Sequence, residues 1–206
     1  MAKVRSKYVC QTCGTESPRW IGKCPNCGEW NTFTEEIVSR VTARRAKSSF
    51  AENAAPVPMA EVDSVDNERI KTGLDEFDRV LGGGIVLGSV CLLGGDPGVG
   101  KSTLMMQVAS NLKDHVVLYI TGEESVKQIK LRSERLHFSP SKNLLLLAET
   151  NMEIVSDVIG RGEPDFVIVD SIQTMCRPEL ESAPGTVSQV RESTALLMKI
   201  AKTKGI

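Results

Sequence analysis

The segment 94–103 constrains the fold of this chain more than any other part of it. Its sequence, G-G-D-P-G-V-G-K-S-T, contains the pattern G-x-x-x-x-G-K-[ST]. The preceding residues, 89–93, are apolar and short enough for a buried strand of a parallel sheet, and the following residues repeat apolar side chains at helical spacing. A strand, a glycine-rich loop and a helix in this order predict a site for a nucleoside triphosphate.

Each residue type in this loop has a chemical reason. Glycine allows several successive N–H groups to face a phosphate where a side chain would collide with it. The free N–H groups at the start of the helix attract the anion, Lys101 adds a positive charge, and the hydroxyl of Ser102 is a ligand for Mg²⁺. The predicted nucleotide-binding residues are Gly95, Asp96, Pro97, Gly98, Val99, Gly100, Lys101, Ser102 and Thr103.

The composition is that of an ordinary globular protein, because 41% of the 206 residues are hydrophobic and 25% are charged. No apolar run reaches the length of a membrane helix, and the first residues lack the apolar segment of a secretory signal. We therefore expect a cytoplasmic protein without a membrane partner. Residues 1–50 hold nine Lys and Arg against four Asp and Glu, which favours either a nucleic-acid partner or simply a solvated basic tail.

Four of the six cysteines form two C-x-x-C-G motifs, Cys10 with Cys13 and Cys24 with Cys27. Each motif makes a tight turn that directs two thiolates to one point, so that the two together complete a tetrahedral zinc site. Disulfides or a redox-active pair are the alternatives, but a reducing compartment and four ligands favour structural zinc. A segment of this size needs the metal for its folding, so residues 1–36 are predicted to be a zinc module.

The residues beside and after this module are less informative. Trp20 and Trp30 flank the second motif, either as packing around the metal or as a surface on which nucleic-acid bases stack. Residues 37–67 are rich in Ala, Ser, Pro and charge, which is typical of a connector, and residues 68–206 are predicted to form the main domain. The basic residues of the connector either contact DNA or are merely solvated; they are Arg40, Arg44, Arg45 and Lys47.

The main domain alternates apolar strands with helices. A short helix is predicted over 72–81, and after the phosphate loop strands are predicted over 115–120, 144–148 and 166–170, with a final helix over 187–204. This alternation predicts an α/β fold with a right-handed parallel sheet. Ligands of such sheets bind at the carboxyl ends of the strands, so functional residues are expected there.

Three carboxylates stand at these strand ends. Asp170 closes the last of the three strands, the Walker B position, and is predicted to hold Mg²⁺ opposite Ser102. Glu123 and Glu124 follow the first of them, where one would orient and deprotonate the attacking water. Alternatively, they only favour the dipole of the next helix. Together with Lys101, these three carboxylates are the predicted catalytic residues.

Three further features receive simpler interpretations. The helix after Glu124 carries basic residues that we interpret as its solvated face: Lys127, Lys130, Arg132 and Arg135. The segment 173–186 is longer than a minimal connection, which is typical of a loop that couples a nucleotide site to another element. Cys91 and Cys176 have no partner at ligand spacing and are interpreted as ordinary residues.

Taken together, these motifs resemble the bacterial RadA family, also called Sms, of RecA-related DNA-repair ATPases. The resemblance is carried by the four cysteines, T-G-L-D-E-F-D-R-V-L-G-G-G over 72–84, the phosphate loop, I-T-G-E-E-S over 120–125 and I-V-D-S-I-Q-T over 168–174. The phosphate loop alone is shared with many NTPases, and G-E-E-S also occurs in KaiC-like relatives. The zinc module in front of this core narrows the choice.

The resemblance implies a RecA-like P-loop NTPase fold, an α/β parallel sheet with helices on both faces, preceded by a zinc-ribbon-like module. It implies ATP, Mg²⁺ and Zn²⁺ as cofactors and a DNA-dependent ATPase that branch-migrates recombination intermediates. The implied partners are single-stranded or branched DNA, RecA and further copies of the chain in a hexameric ring. By motif, Lys101 and Ser102 would bind phosphate and Mg²⁺, Asp170 would be Walker B, and Glu123 rather than Glu124 would be the base.

The RadA family continues into a further core strand, a K-N-R-F-G motif and a Lon-protease-like domain, none of which is present in these 206 residues. In RecA-like sheets that strand lies between the Walker B and phosphate-loop strands, so we expect a gapped sheet with unpaired edges. We therefore expect a piece of a longer ATPase, which by itself binds nucleotide weakly and hydrolyses it near background. The alternatives are a non-enzymatic zinc and DNA-binding module switched by ATP, and a KaiC-like signalling ATPase.

Overall fold

The computed structural model describes residues 5–38, 58–61, 69–138 and 141–206. The first part is a three-stranded antiparallel sheet of β1 (Arg5–Cys10), β2 (Glu16–Ser17) and β3 (Phe33–Val38), in the order β2-β1-β3. We call this part the zinc ribbon. Its last strand continues two residues beyond the predicted boundary at residue 36.

A small subdomain precedes the phosphate loop. A 3-10 helix at Met59–Glu61 comes first. After it, β4 (Arg69–Ile70) pairs antiparallel with β5 (Ile85–Val86), and the segment that connects these two strands contains α1 (Asp75–Val80). The helix predicted over 72–81 is therefore shorter than expected. The rest of the predicted connector, with its basic residues, lies outside the described residues except for 37–38 at the end of β3.

The main sheet is parallel and has the order β7-β6-β8. Its strands are β6 (Val117–Thr121), β7 (Leu144–Ala148) and β8 (Phe166–Asp170), which form where three strands were predicted. In the register of these strands, Thr121 lies opposite both Ala148 and Asp170, so all three strands end at the same level. The helices are α2 (Lys101–Asn111), α3 (Val126–Arg135), α4 (Met152–Gly162) and α5 (Val187–Lys204).

Helices cover both faces of this sheet. Successive side chains of a strand point to opposite sides, so an apolar strand such as β6 offers each face a set of side chains to bury. Val117 and Tyr119 of β6 pack with buried residues of α2 and α3, including Met106 and Ile129. The alternate residues of β6, Leu118 and Ile120, pack with α4 and α5; their buried and half-buried neighbours there include Met152, Val155, Ile159, Leu197 and Ile200. The expected α/β fold with helices on both faces is confirmed.

The strand predicted over 89–93 does not form. These residues pair with no strand in the described part of the chain, and Leu92 is 87% exposed. A strand is stable only when its N–H and C=O groups find a neighbour, and among the described residues the outer edge of β8 has no partner either. The prediction of a buried strand is therefore wrong, while the expectation of a gapped sheet with unpaired edges agrees with this arrangement.

The zinc ribbon packs against the first turns of α5. The Ser188 hydroxyl donates a hydrogen bond to Glu36 Oε1 at 2.6 Å, and the Val187 N–H donates to Gln11 Oε1 at 3.4 Å. The guanidinium of Arg191 lies 3.9 Å from the Glu16 carboxylate. These contacts join two parts of the chain that are about 150 or more residues apart in sequence.

In the part of the chain that the structure describes, none of the helices combines the length and the apolar composition needed to span a bilayer.

Candidate functional site

The phosphate loop leaves open space in front of a helix that has no side-chain cap. Gly98 and Gly100 have φ angles of 81° and 102°, and α2 begins directly afterwards at Lys101. A Cβ atom at either glycine would meet no atom within 4 Å, so the space beside the loop is free. The first N–H groups of a helix need a partner, and an open cradle in front of them fits a phosphate group.

The ammonium group of Lys101 lies over this loop. Its Nζ donates to the carbonyl oxygen of Gly95 at 2.7 Å and to that of Asp96 at 2.8 Å. An ammonium group has three protons to donate, so two bonds to the loop hold it in place and leave a third for an anion. The position of Lys101 is therefore compatible with its predicted contact to a nucleotide phosphate.

Ser102 and Asp170 meet across the sheet edge, although they are 68 residues apart in sequence. The Ser102 hydroxyl donates to Asp170 Oδ1 at 3.0 Å, from the first turn of α2 to the carboxyl end of β8. Hydroxyl and carboxylate oxygens are ligands of Mg²⁺, either directly or through water. These two residues fit a magnesium ion beside the phosphate loop, where both were predicted to hold it.

The two glutamates after β6 have different surroundings. Glu123 is exposed, and its Oε1 accepts a hydrogen bond from the Ser171 hydroxyl at 3.0 Å, next to Asp170. Glu124 forms an ion pair with Arg132, whose Nη1 lies 2.9 Å from Glu124 Oε1. Glu123 thus contacts the residue next to Asp170, whereas Glu124 faces helix α3.

The prediction that Arg132 belongs to the solvated face of α3 is wrong. Its side chain is only 14% exposed, whereas Lys127, Lys130 and Arg135 lie on the exposed side of the helix. The carboxylate of Glu124 offsets the cost of removing this guanidinium group from water. Periodicity alone does not reveal such a pair, because each partner has an ordinary surface residue type.

The loop between β6 and α3 is held at both ends. Ser125 caps α3 by accepting from the Gln128 N–H, while the Gln128 side chain accepts from the Ser125 N–H in return. At the other end, Gly122 lies so close to Thr174 that a Cβ atom at position 122 would lie 2.6 Å from the Thr174 Cβ and overlap its hydroxyl. The absence of a side chain at Gly122 therefore lets the segment after Asp170 approach the loop that carries Glu123.

We expect Gly122→Ala to destabilise the protein, because the new methyl group forces this loop and the Thr174 segment apart. The free energy of unfolding should fall by about 1–3 kcal/mol, as for other overpacked positions. Chemical denaturation measures this change. Gly160→Ala in α4 is the matched control, since a Cβ atom there meets nothing within 4 Å and should leave stability equal or slightly higher. Equal stability of the two variants would contradict the close approach.

The four predicted zinc ligands come together in the zinc ribbon. Their sulfur atoms all lie within 4.8 Å of one another, with Cys13 and Cys24 at 3.5 Å and Cys10 and Cys27 at 3.7 Å. Zn–S bonds of 2.3 Å in a tetrahedron place sulfur atoms about 3.8 Å apart, so the cluster has the dimensions of a Cys₄ zinc site. Four thiolates leave no open coordination position, which fits a structural metal.

The local geometry explains why each motif ends in glycine. Gly14 and Gly28 have φ angles of 73° and 78°, and their N–H groups donate to the carbonyl oxygens of Cys10 and Cys24. The Thr15 hydroxyl, 3.1 Å from Cys13 Sγ, is the largest of several hydrogen-bond partners that lower the pKa of this thiol to about 5. A lowered pKa favours the thiolate, the form that binds zinc.

Both tryptophans of the chain lie at the surface of the zinc ribbon. Trp20 is 52% and Trp30 is 66% exposed, and a Cβ atom at Gly22 would lie within 4 Å of both rings. The Lys23 ammonium lies 5.5 Å from the centre of the Trp30 ring. The indoles are therefore available to a partner rather than buried as packing around the metal.

The sequence did not reveal the roles of two buried residues with polar groups, Tyr119 and Gln189. Tyr119 in β6 donates to Asp170 Oδ2 at 2.5 Å. Gln189 in α5 holds the predicted coupling loop: its side chain accepts from the Arg177 N–H at 2.8 Å and donates to the Ser182 carbonyl at 2.8 Å. A tyrosine inside an apolar strand was the available signal for the first residue, whereas the glutamine had none.

Comparisons with known proteins agree with this division of the chain. The family model described as a rubredoxin metal binding domain matches residues 8–35, and the KaiC ATPase model matches residues 70–142. The DNA repair protein RadA of Bacillus subtilis (strain 168) is 53% identical over 212 residues, and that of Listeria monocytogenes serovar 1/2a is 50% identical over 207. The resemblance to bacterial RadA is confirmed.

Both RadA matches cover 100% of this chain but only 46% and 45% of the respective relatives, so the chain spans about half of their length. Among solved structures, the flagellar accessory protein FlaH from Methanocaldococcus jannaschii has a TM-score of 0.52, with 22% identity and 67% of each chain covered. At this identity the likeness to FlaH supports the fold and carries no functional argument. The similarity to the RadA proteins, in contrast, extends through both the zinc ribbon and the ATPase domain.

Proposed function

We propose that this chain is the zinc-ribbon and ATPase portion of a DNA-dependent ATPase that acts in the cytoplasm in recombinational DNA repair. The observation that carries the proposal is the hydrogen bond of 3.0 Å from the Ser102 hydroxyl, directly after the phosphate loop, to Asp170 Oδ1. The chain that contains this site is about 50% identical to DNA repair proteins named RadA. ATP, Mg²⁺ and Zn²⁺ are the proposed cofactors. Lys101 would neutralise phosphate charge, and Ser102 with Asp170 would hold Mg²⁺.

Glu123 is the proposed base for the attacking water. It is exposed beside the proposed metal site, and its carboxylate is oriented by the Ser171 hydroxyl. Glu124 is less suited to this role, because Arg132 already engages its carboxylate. A base must reach the water in front of the γ-phosphate, which favours the glutamate on the side of Asp170.

The proposed DNA partner is single-stranded or branched DNA, processed together with RecA by branch migration in a ring of several copies, as the RadA resemblance implies. The exposed indoles of Trp20 and Trp30, with Lys23 near one of them, offer a surface for base stacking and one positive charge for the backbone. Stacking on tryptophan quenches its fluorescence, and the chain has no other tryptophan. DNA binding at this surface therefore has a direct optical signal.

The test compares ATP hydrolysis with and without single-stranded DNA, for the 206 residues and for a longer form that reaches the length of the RadA relatives. We expect hydrolysis near background for the 206 residues and DNA-stimulated hydrolysis for the longer form, with tryptophan fluorescence quenched in the same titration. The salt concentration must permit DNA binding. Hydrolysis that DNA never changes would contradict the proposal and favour a signalling ATPase, and DNA binding without hydrolysis would favour an ATP-switched binding module.

A further inference from the structure

Tyr119 is a polar side chain in an apolar part of the core. It is fully buried, and its ring lies in the cluster between the sheet and helices α2 and α3. In the register of the sheet, Tyr119 lies opposite Ile168, and Asp170 follows two residues later on the same face of β8. A side chain as long as tyrosine spans this diagonal, which brings its hydroxyl to the Asp170 carboxylate.

We propose that Tyr119 is a positioning residue for the magnesium site, because its hydroxyl holds the Asp170 carboxylate in the orientation that presents Oδ1 to Ser102. The inference rests on the proposed ATPase function. Asp170 Oδ2 accepts from Tyr119 at 2.5 Å and Oδ1 accepts from Ser102 at 3.0 Å, so each oxygen has its own donor. Without the first bond the carboxylate can turn about its last side-chain torsion, which is broad.

Arg132 also approaches the Tyr119 hydroxyl, whose hydrogen bond to Asp170 can run only one way, because an ionised carboxylate has no proton to donate. Its Nη2 lies 3.5 Å from the Tyr119 oxygen, and its Nη1 is held by Glu124 at 2.9 Å. A guanidinium group only donates, so the phenol oxygen accepts from Arg132 and its single proton is left for Asp170. Glu124 is thus linked to Asp170 through Arg132 and Tyr119.

In this arrangement Tyr119 contacts a proposed magnesium ligand, Asp170. Residues that hydrogen-bond to metal ligands orient them, and the loss of such a residue typically lowers metal affinity about 10–100-fold.

The test is Tyr119→Phe in the longer form of the chain, with Tyr8→Phe as the matched control at the other tyrosine of the sequence. Binding of a fluorescent ATP analogue is titrated with Mg²⁺ and measured separately in EDTA. We expect the half-saturating Mg²⁺ concentration to rise about tenfold for Tyr119→Phe, with unchanged affinity in EDTA. Tyr8→Phe should match the wild type in both measurements, and melting temperatures verify that each variant is folded.

A double-mutant cycle with Asp170→Asn then separates positioning from a general packing effect. If Tyr119 acts through Asp170, adding Tyr119→Phe to Asp170→Asn should change the Mg²⁺ dependence no further. The inference is overturned if Tyr119→Phe leaves the Mg²⁺ dependence unchanged, weakens binding equally with and without Mg²⁺, or has its full effect in the Asp170→Asn background. Because these readouts require neither hydrolysis nor DNA, a failure of the proposed repair function remains a distinct result.

Discussion

Replacing Lys101 with alanine is expected to reduce ATP hydrolysis by the longer form on the order of 10²–10³-fold, the loss typical when a preorganised charge is removed from a transition state. The Lys101 ammonium lies over the phosphate loop and has one proton left for an anion. No other residue of the loop carries a positive charge, so nothing local replaces it. Single-turnover hydrolysis measures the loss directly.

The fold should survive this change, because the Lys101 ammonium bonds only to loop carbonyl groups that water can satisfy instead. The matched control is Lys113→Ala, which removes the same charge at an exposed turn after α2. We expect Lys113→Ala to hydrolyse ATP at the wild-type rate. Comparable activity of the two variants would exclude this loop as the nucleotide site, even if both bind DNA normally.

Removing zinc is expected to unfold the zinc ribbon while the α/β domain keeps its structure. Among residues 7–36, whose burial the structure describes, the buried ones are Val9, Cys10, Cys24 and Phe33, and two of them are proposed ligands. So small a core does not outweigh the entropy of the chain without a metal. Strand β6, in contrast, is fully buried between two layers of helices and depends on no metal.

Cys13→Ser tests this prediction, with Cys91→Ser as the control at an exposed cysteine outside the cluster. We expect one zinc ion per chain in the wild type and in Cys91→Ser, and far less in Cys13→Ser. Hydrogen exchange should accelerate throughout 5–38 and at the first turn of α5, where Val187 loses its contact with Gln11, but not in β6. Unchanged protection of the ribbon after full zinc removal would contradict a structural role for the metal.

Local patterns in the sequence were sufficient for much of the candidate site. The phosphate loop, the four cysteines and Asp170 each follow from residue types at short spacings, because a tight turn or a strand end positions them regardless of the remaining chain. The three strands of the main sheet also formed as predicted, since an apolar run between helices has few other ways to bury its side chains.

Contacts between distant elements required the tertiary structure. The sequence places Arg132 on a helix and Tyr119 in a strand, but only packing brings Arg132 to Glu124 and Tyr119 to Asp170. The same holds for the zinc ribbon on α5, where residues about 150 positions apart meet. Such side chains are ordinary in type, and their roles depend on which neighbours exclude water from them.

The segment 89–93 illustrates the difference most directly. Its apolar sequence indicates a strand, but backbone groups form a strand only when a neighbouring strand accepts and donates their hydrogen bonds. Among the described strands none lies beside it, so the segment forms no strand and Leu92 is exposed. The sequence by itself therefore determined the chemistry and the local turns of this protein, while the tertiary structure decided pairing, burial and orientation, because these depend on partners that are remote along the chain.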